Sequence, residues 1–136
     1  MHLEILGIVA LVIAFVFIIA PLLGITERYT ELQDDGESKF YFFHASWCGW
    51  CKKAWPHWKE FRNLFDNRKV TYGGKNVKLV EVDADKDKDM CKKFNIEGFP
   101  SFRLSSSNKV MEYKGGPSVD KFREFLKEKL GYEMVE

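Results

Sequence analysis

Cysteine is scarce in this sequence. Three in 136 residues are too few for a disulfide scaffold, and one chain cannot close a four-cysteine zinc site with them. Charge imbalance is also missing. The 21 Lys and Arg residues stand against 20 Asp and Glu, which gives no global electrostatic footprint for nucleic acid. No Lys or Arg precedes Arg28, so the basic n-region of a cleaved signal peptide is absent. There is no Asn-x-Ser/Thr triplet, hence no natural N-glycan acceptor to report sidedness. Internal repeats and low-complexity tracts are absent as well.

The longest feature is apolar. Residues 5–26 contain no charge and are almost all Ile, Leu, Val, Phe and Ala. As a helix they would reach about 33 Å, enough for a hydrocarbon core of about 30 Å. The run exceeds the h-region of a signal peptide, and cleavage after Ala20 would leave Pro21 beside the cut bond. No polar stripe fits it to a soluble core. We therefore expect 1–26 to be an uncleaved transmembrane anchor, 27–38 a polar linker, 39–131 a folded domain and 132–136 a tail.

Within the domain, Lys39–Ala45 (KFYFFHA) is a continuous aromatic run, as in a strand buried on both faces. From Cys48 to about Asn67 the spacing of Trp55, Trp58, Phe61, Leu64 and Phe65 predicts a helix, kinked at Pro56. A second strand, Val77–Val82, follows the Gly73-Gly74 loop. A short helix is expected from about Asp85 to Phe94, with acids at its start and Lys92 and Lys93 at its end. Ser101–Ser105 and Lys109–Tyr113 read as a hairpin. A last helix, capped by Ser118, runs to Leu130 and stops at Gly131. The order predicts an α/β fold around a four-stranded mixed sheet, its first two strands parallel.

The chemistry sits in Trp47-Cys48-Gly49-Trp50-Cys51. Cysteines at i and i+3 of a first helical turn face the same side, within reach of a disulfide. At the helix N-terminus Cys48 is placed as the more exposed and more acidic thiol, the nucleophile; Cys51, one turn in, resolves the mixed disulfide. Gly49 leaves room for a substrate backbone. Zinc knuckles also use this spacing.

From FHASWCGWCKKAWP, VEVDADKDKDMCKKFNIEGFPSF and the MEYKGG turn, the region from Lys39 to Leu130 resembles the thioredoxin superfamily, and within it the disulfide isomerase-like domains. The resemblance implies a thioredoxin fold and no cofactor or metal. It places the family's kinking proline on Pro56 and its cis-proline on Pro100, with Phe99 before it pairing with extended substrate. This sequence departs from the family in three ways. Phe42 stands where a buried Asp or Glu helps move the second cysteine's proton. Gly49-Trp50 separates the cysteines where Gly-His or Gly-Pro is usual. Gly115-Gly116-Pro117 lacks the usual Arg. The usual first strand and helix are also not evident.

Trp47, Trp50 and Phe99 are candidates for an apolar docking patch around the cysteines. Trp47 is expected to be half-buried and Trp50 exposed. His44, four residues before Cys48, is a candidate modulator of Cys48 or proton shuttle, although a structural histidine is the more ordinary reading. His57 reads as surface, and Cys91 as a buried small hydrophobe. Asp83, Asp85, Asp87 and Asp89 begin like a calcium loop, but Lys88 and Phe94 stand where glycine and glutamate are needed.

Two functions are compatible with this pattern. The first is a membrane-anchored thiol–disulfide oxidoreductase acting on protein thiols and disulfides. The alternative is a non-enzymatic thioredoxin-fold module with a structural disulfide, partnered in a membrane-bound or capsid assembly such as a virion. Arg28 and Lys39 lean weakly toward a cytoplasmic domain by loop charge. The isomerase resemblance points instead to the lumenal or exoplasmic side, which is the side expected here.

Overall fold

The computed structural model describes residues 1–22 and 37–136. Residues 23–26 of the apolar run and most of the expected linker lie outside the described residues. The chain divides into an N-terminal unit and a unit from Asp34 onward.

The N-terminal unit holds α1, His2–Leu22. It is long and apolar enough to cross a membrane by length and composition, and its side chains up to Ile18 are exposed. The helix starts at His2, ahead of the expected Ile5, because Glu4 falls in the first turn, where an acid suits the dipole.

The second unit is built on a mixed sheet. Its strands are β1 (Ser38–His44), β2 (Val70–Tyr72), β3 (Lys75–Asp83), β4 (Ser101–Ser106), β5 (Lys109–Tyr113) and β6 (Glu133–Val135), in the order β5-β4-β1-β3-β2-β6. Its helices are α2 (Gly49–Asn67), α3 (Lys88–Lys93) and α4 (Val119–Leu130). As the sequence predicts, β1 and β3 are parallel, with Phe42 opposite Glu81 and His44 opposite Asp83. β4 runs antiparallel to both β1 and β5.

The aromatic run explains the position of β1 at the centre. Phe40 and Phe42 enter one core cluster with Trp58, Phe61, Phe102 and Phe122. Tyr41 and Phe43 enter another with Val82 and Phe94. Alternate side chains of a strand point to opposite faces, so the four residues from Phe40 to Phe43 feed both clusters. Phe42 stacks on Phe102 with centroids 4.9 Å apart.

The sheet has six strands where four are expected. The two extra strands are three residues each, too short to show a period. Gly73 (φ +55°) and Gly74 (φ +74°) form the β2–β3 turn, and a Cβ on Gly73 would meet the Leu130 carbonyl oxygen at 2.0 Å. The stretch read as a tail supplies β6, antiparallel to β2. Arg123 of α4 holds it, its Nε–H shared between the two carboxylate oxygens of Glu133 at 3.0 and 3.1 Å. β1 starts at Ser38, whose buried hydroxyl donates to Ser106 Oγ at 2.8 Å.

Two further expectations shift. The short helix is confined to Lys88–Lys93, because Asp87 caps it by accepting from Met90 N at 3.0 Å. Ser118 occupies the N-cap position of α4, but its side chain makes no capping hydrogen bond.

Candidate functional site

The strand–loop–helix junction builds the site. β1 ends at His44, and the loop of Ala45, Ser46 and Trp47 leads to Cys48, the N-cap of α2. The Cys48 sulfur accepts the Cys51 backbone N–H at 3.1 Å, filling one of the orphan donors of the helix start. Cys48 and Cys51 are joined by a disulfide, their Cα atoms 5.2 Å apart. Both are buried, 5% and 4% exposed. In the oxidised pair Cys48 is thus no more open than Cys51, contrary to expectation, because Ala45, Ala84 and Phe99 pack around both.

The surroundings are aromatic. Trp47 is 71% exposed and Trp50 69%. Trp47 is therefore not half-buried; the loop turns its ring outward, where it meets Phe99 edge-on at 5.9 Å. Lys53 Nζ sits 4.3 Å above the Trp50 ring. A Cβ on Gly49 would meet nothing within 4 Å, so the space beside Gly49 is open. The Phe99–Pro100 peptide is cis, as the resemblance implies. The structure therefore brings Trp47, Phe99 and the cysteines together.

Asp85 is the residue that sequence reasoning missed. Read there as the solvated start of a helix, it accepts from Ser46 N at 3.0 Å, Ser46 Oγ at 2.7 Å and Trp47 Nε1 at 3.2 Å. The Ser46 backbone N–H and hydroxyl hold its carboxyl below the usual carboxylate range, with smaller contributions from Trp47 and Lys88. The only hint in the sequence is its place just after a strand, level with the cysteine loop.

On the other flank, His44, Ala45, Ser46, Cys51, Lys52 and Trp55 line an open cleft of about 260 Å³. His44 packs edge-on against Trp55, centroids 4.9 Å apart. Cys91 is half-buried against the Tyr41 and Phe43 cluster. Its thiol is pushed up by burial and, second, by Asp87. His57 is exposed. Among the described residues no group of three or more His, Cys, Asp or Glu side chains converges as metal ligands do.

A sequence profile of the family described as Thioredoxin matches residues 27–128. This chain belongs to the thioredoxin family. Curated relatives include protein disulfide-isomerase erp38 of Neurospora crassa, 32% identical over 98 residues, covering 71% of this chain and 25% of that one. Protein disulfide isomerase-like 2-2 of Oryza sativa subsp. japonica is 33% identical over 100 residues, covering 72% and 25%. The chain thus spans about a quarter of the length of these relatives. Among solved structures, human ERp44 superposes with a TM-score of 0.60 at 22% identity, over 76% of this chain and 31% of that one. The first thioredoxin domain of mouse protein disulfide-isomerase A4 gives 0.57 at 21%, over 77% and 69%. These structural likenesses establish the fold.

Proposed function

We propose that this thioredoxin-family protein is a thiol–disulfide oxidoreductase acting on protein thiols and disulfides. The observation that carries this reading is the Cys48–Cys51 disulfide at the start of α2, flanked by the exposed Trp47 and Trp50. In the reduced enzyme Cys48 attacks a substrate disulfide. One sulfur of that disulfide leaves as thiolate, and the other is held in a mixed disulfide with Cys48. Cys51 then attacks the Cys48 sulfur, the pair closes, and the second substrate sulfur leaves. The substrate gains two electrons and the enzyme loses two; the reverse sequence oxidises a dithiol. The Cys51 N–H aimed at Cys48 Sγ favours the attacking thiolate. Trp47, Trp50, Gly49, Phe99 and Pro100 form the docking surface for an extended chain, with Asp85 holding Trp47 in place.

In this reading α1 anchors the domain to a membrane, with residues 39–131 on the lumenal or exoplasmic side. The length and composition of α1 support the anchor, and kinship with protein disulfide-isomerases supports the side. One observation favours the non-enzymatic alternative in a membrane or virion assembly. Phe42 fills with stacked rings the place where related domains carry an acid. Turnover decides between them. The protein with a dithiol reductant should reduce an insulin-type protein disulfide, and Cys48→Ser should abolish this. Wild-type protein no faster than Cys48→Ser would refute the enzymatic reading.

A further inference from the structure

Resolution of the mixed disulfide has a proton requirement that the site must meet. Cys51 attacks only as thiolate, an ordinary thiol ionises near pH ~8.5, and this one is 4% exposed. Phe42 offers no proton acceptor; it is packed on Phe102 at 4.9 Å and on Trp58 at 5.3 Å. Glu81, its register partner on β3, is engaged elsewhere. Its Oε1 accepts from Trp58 Nε1 at 2.9 Å and pairs with Arg62. Trp58 lies about two helical turns, ~10 Å, beyond Cys51.

The cleft beside Cys51 contains one side chain suited to the task. Of its lining residues, Ser46 donates its hydroxyl to Asp85, Lys52 brings an ammonium donor, and Ala45 and Trp55 accept nothing. His44 remains. Its ring is fixed between Trp55 and Phe42, at 4.9 and 5.2 Å. Among the described residues its nitrogens make no hydrogen bond. A cleft of about 260 Å³ admits several waters at ~30 Å³ each, so a proton can cross it. The charged groups around His44 are Lys52 from α2, Asp83 opposite it on β3, and Asp85 beyond. Asp83 accepts from Asp85 N at 3.0 Å and pairs with Lys86 at 3.6 Å. Asp85 is tied to Ser46 and Trp47. At this end of β1, β4 brings the uncharged Ser101, opposite Phe43.

We propose that His44, sharing the cleft with Cys51, is the proton acceptor that lets Cys51 resolve the mixed disulfide, a role resting on the oxidoreductase reading above. The imidazole takes the Cys51 S–H proton, through water where needed. The Cys51 thiolate attacks Cys48 Sγ, the Cys48–Cys51 bond forms, and the Cys48–substrate bond breaks. The departing substrate thiolate takes the proton back from the imidazolium. For substrate oxidation, His44 returns the proton to Cys51 as it leaves.

An aryl disulfide whose released thiolate is coloured tests this on full-length protein carrying Cys91→Ser. The first thiolate released reports attack by Cys48, the second attack by Cys51. The probe needs no biological substrate, so the phases report on His44 whether or not protein disulfides are turned over. In His44→Gln the first phase should be unchanged and the second slowed roughly tenfold or more at pH 7. The gap should narrow as pH rises and hydroxide takes over the removal of the thiol proton. In His44→Ala, added imidazole should restore the second phase. A second phase as fast as wild type at pH 7, equal slowing at every pH, slowing of the first phase alongside, or absence of imidazole rescue would each overturn the assignment.

Discussion

Trp47 donates its indole N–H to Asp85 at 3.2 Å, across 38 residues of sequence. Because the same carboxylate also binds Ser46, one exposed acid fixes the whole turn into the cysteine pair. The folded-state ionisation of Asp85 is lowered. Its contribution to stability is therefore present above the ordinary carboxylate value of ~3.9 and lost as pH falls through the lower folded value. Asp85→Ala should melt below wild type at pH 7, and the difference should shrink as pH falls below the ordinary carboxylate value. Thermal melts along that fall in pH check this; a difference independent of pH would remove the carboxylate from the explanation.

The three thiols should separate on alkylation. In reduced protein near neutral pH, Cys48 should be labelled first, helped by the helix start and the Cys51 N–H. Cys91 should lag, since burial and Asp87 raise its thiol and so deplete its thiolate. Timed iodoacetamide quenching with peptide mass spectrometry gives the order. Labelling of Cys51 or Cys91 ahead of Cys48 would reverse the assigned roles.

Phe42 is fully buried and touches Trp55, Trp58 and Phe102. Phe42→Ala should cost about 3–5 kcal/mol, the usual range for a truncated core aromatic. Urea unfolding of the reduced and oxidised forms measures it. A loss under about 1 kcal/mol would mean that the stack relaxes around the hole.

Tyr72 is held neutral chiefly by burial and, second, by the nearby Glu133, which raise its ionisation above the ordinary ~10. That contribution is complete below pH ~10 and is lost as pH rises from there toward the folded value. An ultraviolet alkaline titration should show Tyr72 ionising last, beyond Tyr113, which burial also raises. Deleting residues 133–136 should bring it back toward the others, since it removes both the cover and Glu133. Tyr72 still ionising last in the truncated chain would place the cause elsewhere.

Membrane attachment and sidedness are read together. Val110 is exposed, and Val110→Thr converts Asn108-Lys109-Val110 into a glycan acceptor on the β4–β5 turn. In a eukaryotic cell the variant should stay with membranes through alkaline carbonate and should gain one glycan. Release by carbonate would refute the span. An unmodified protein, beside a modified lumenal control, would refute the lumenal side.

The elements whose residues carry a strong period were legible from the sequence. The continuous apolar run KFYFFHA suits a strand covered on both faces, and the Trp and Phe spacing after Cys48 suits a helix. Pro100 in the cis state came from resemblance, as no local property of Phe99 or Pro100 demands it. β2 and β6 were not legible because three residues carry no measurable alternation; Val70–Tyr72 is held between β3, across the Gly73-Gly74 turn, and Glu133–Val135, far along the chain. Asp85 was hidden for the same reason. Its role depends on a loop 39 residues away, and no spacing rule connects them. Trp47 was misjudged because its indole looked like core material, whereas its N–H is satisfied at the surface.

β1 is bonded along both edges, to β3 and to β4, and walled by aromatic clusters on both faces. Its amides can meet solvent only when the sheet itself comes apart, so they belong to the slowest-exchanging class in the molecule. The cysteine loop hangs from the end of that strand. Opening the Cys48–Cys51 bond therefore loosens a turn that is moored to the last part of the domain to melt. Deuterium uptake should rise on reduction around Cys48 to Lys52 and stay flat from Phe40 to Phe43, so the protein can cycle between redox states without its frame taking part.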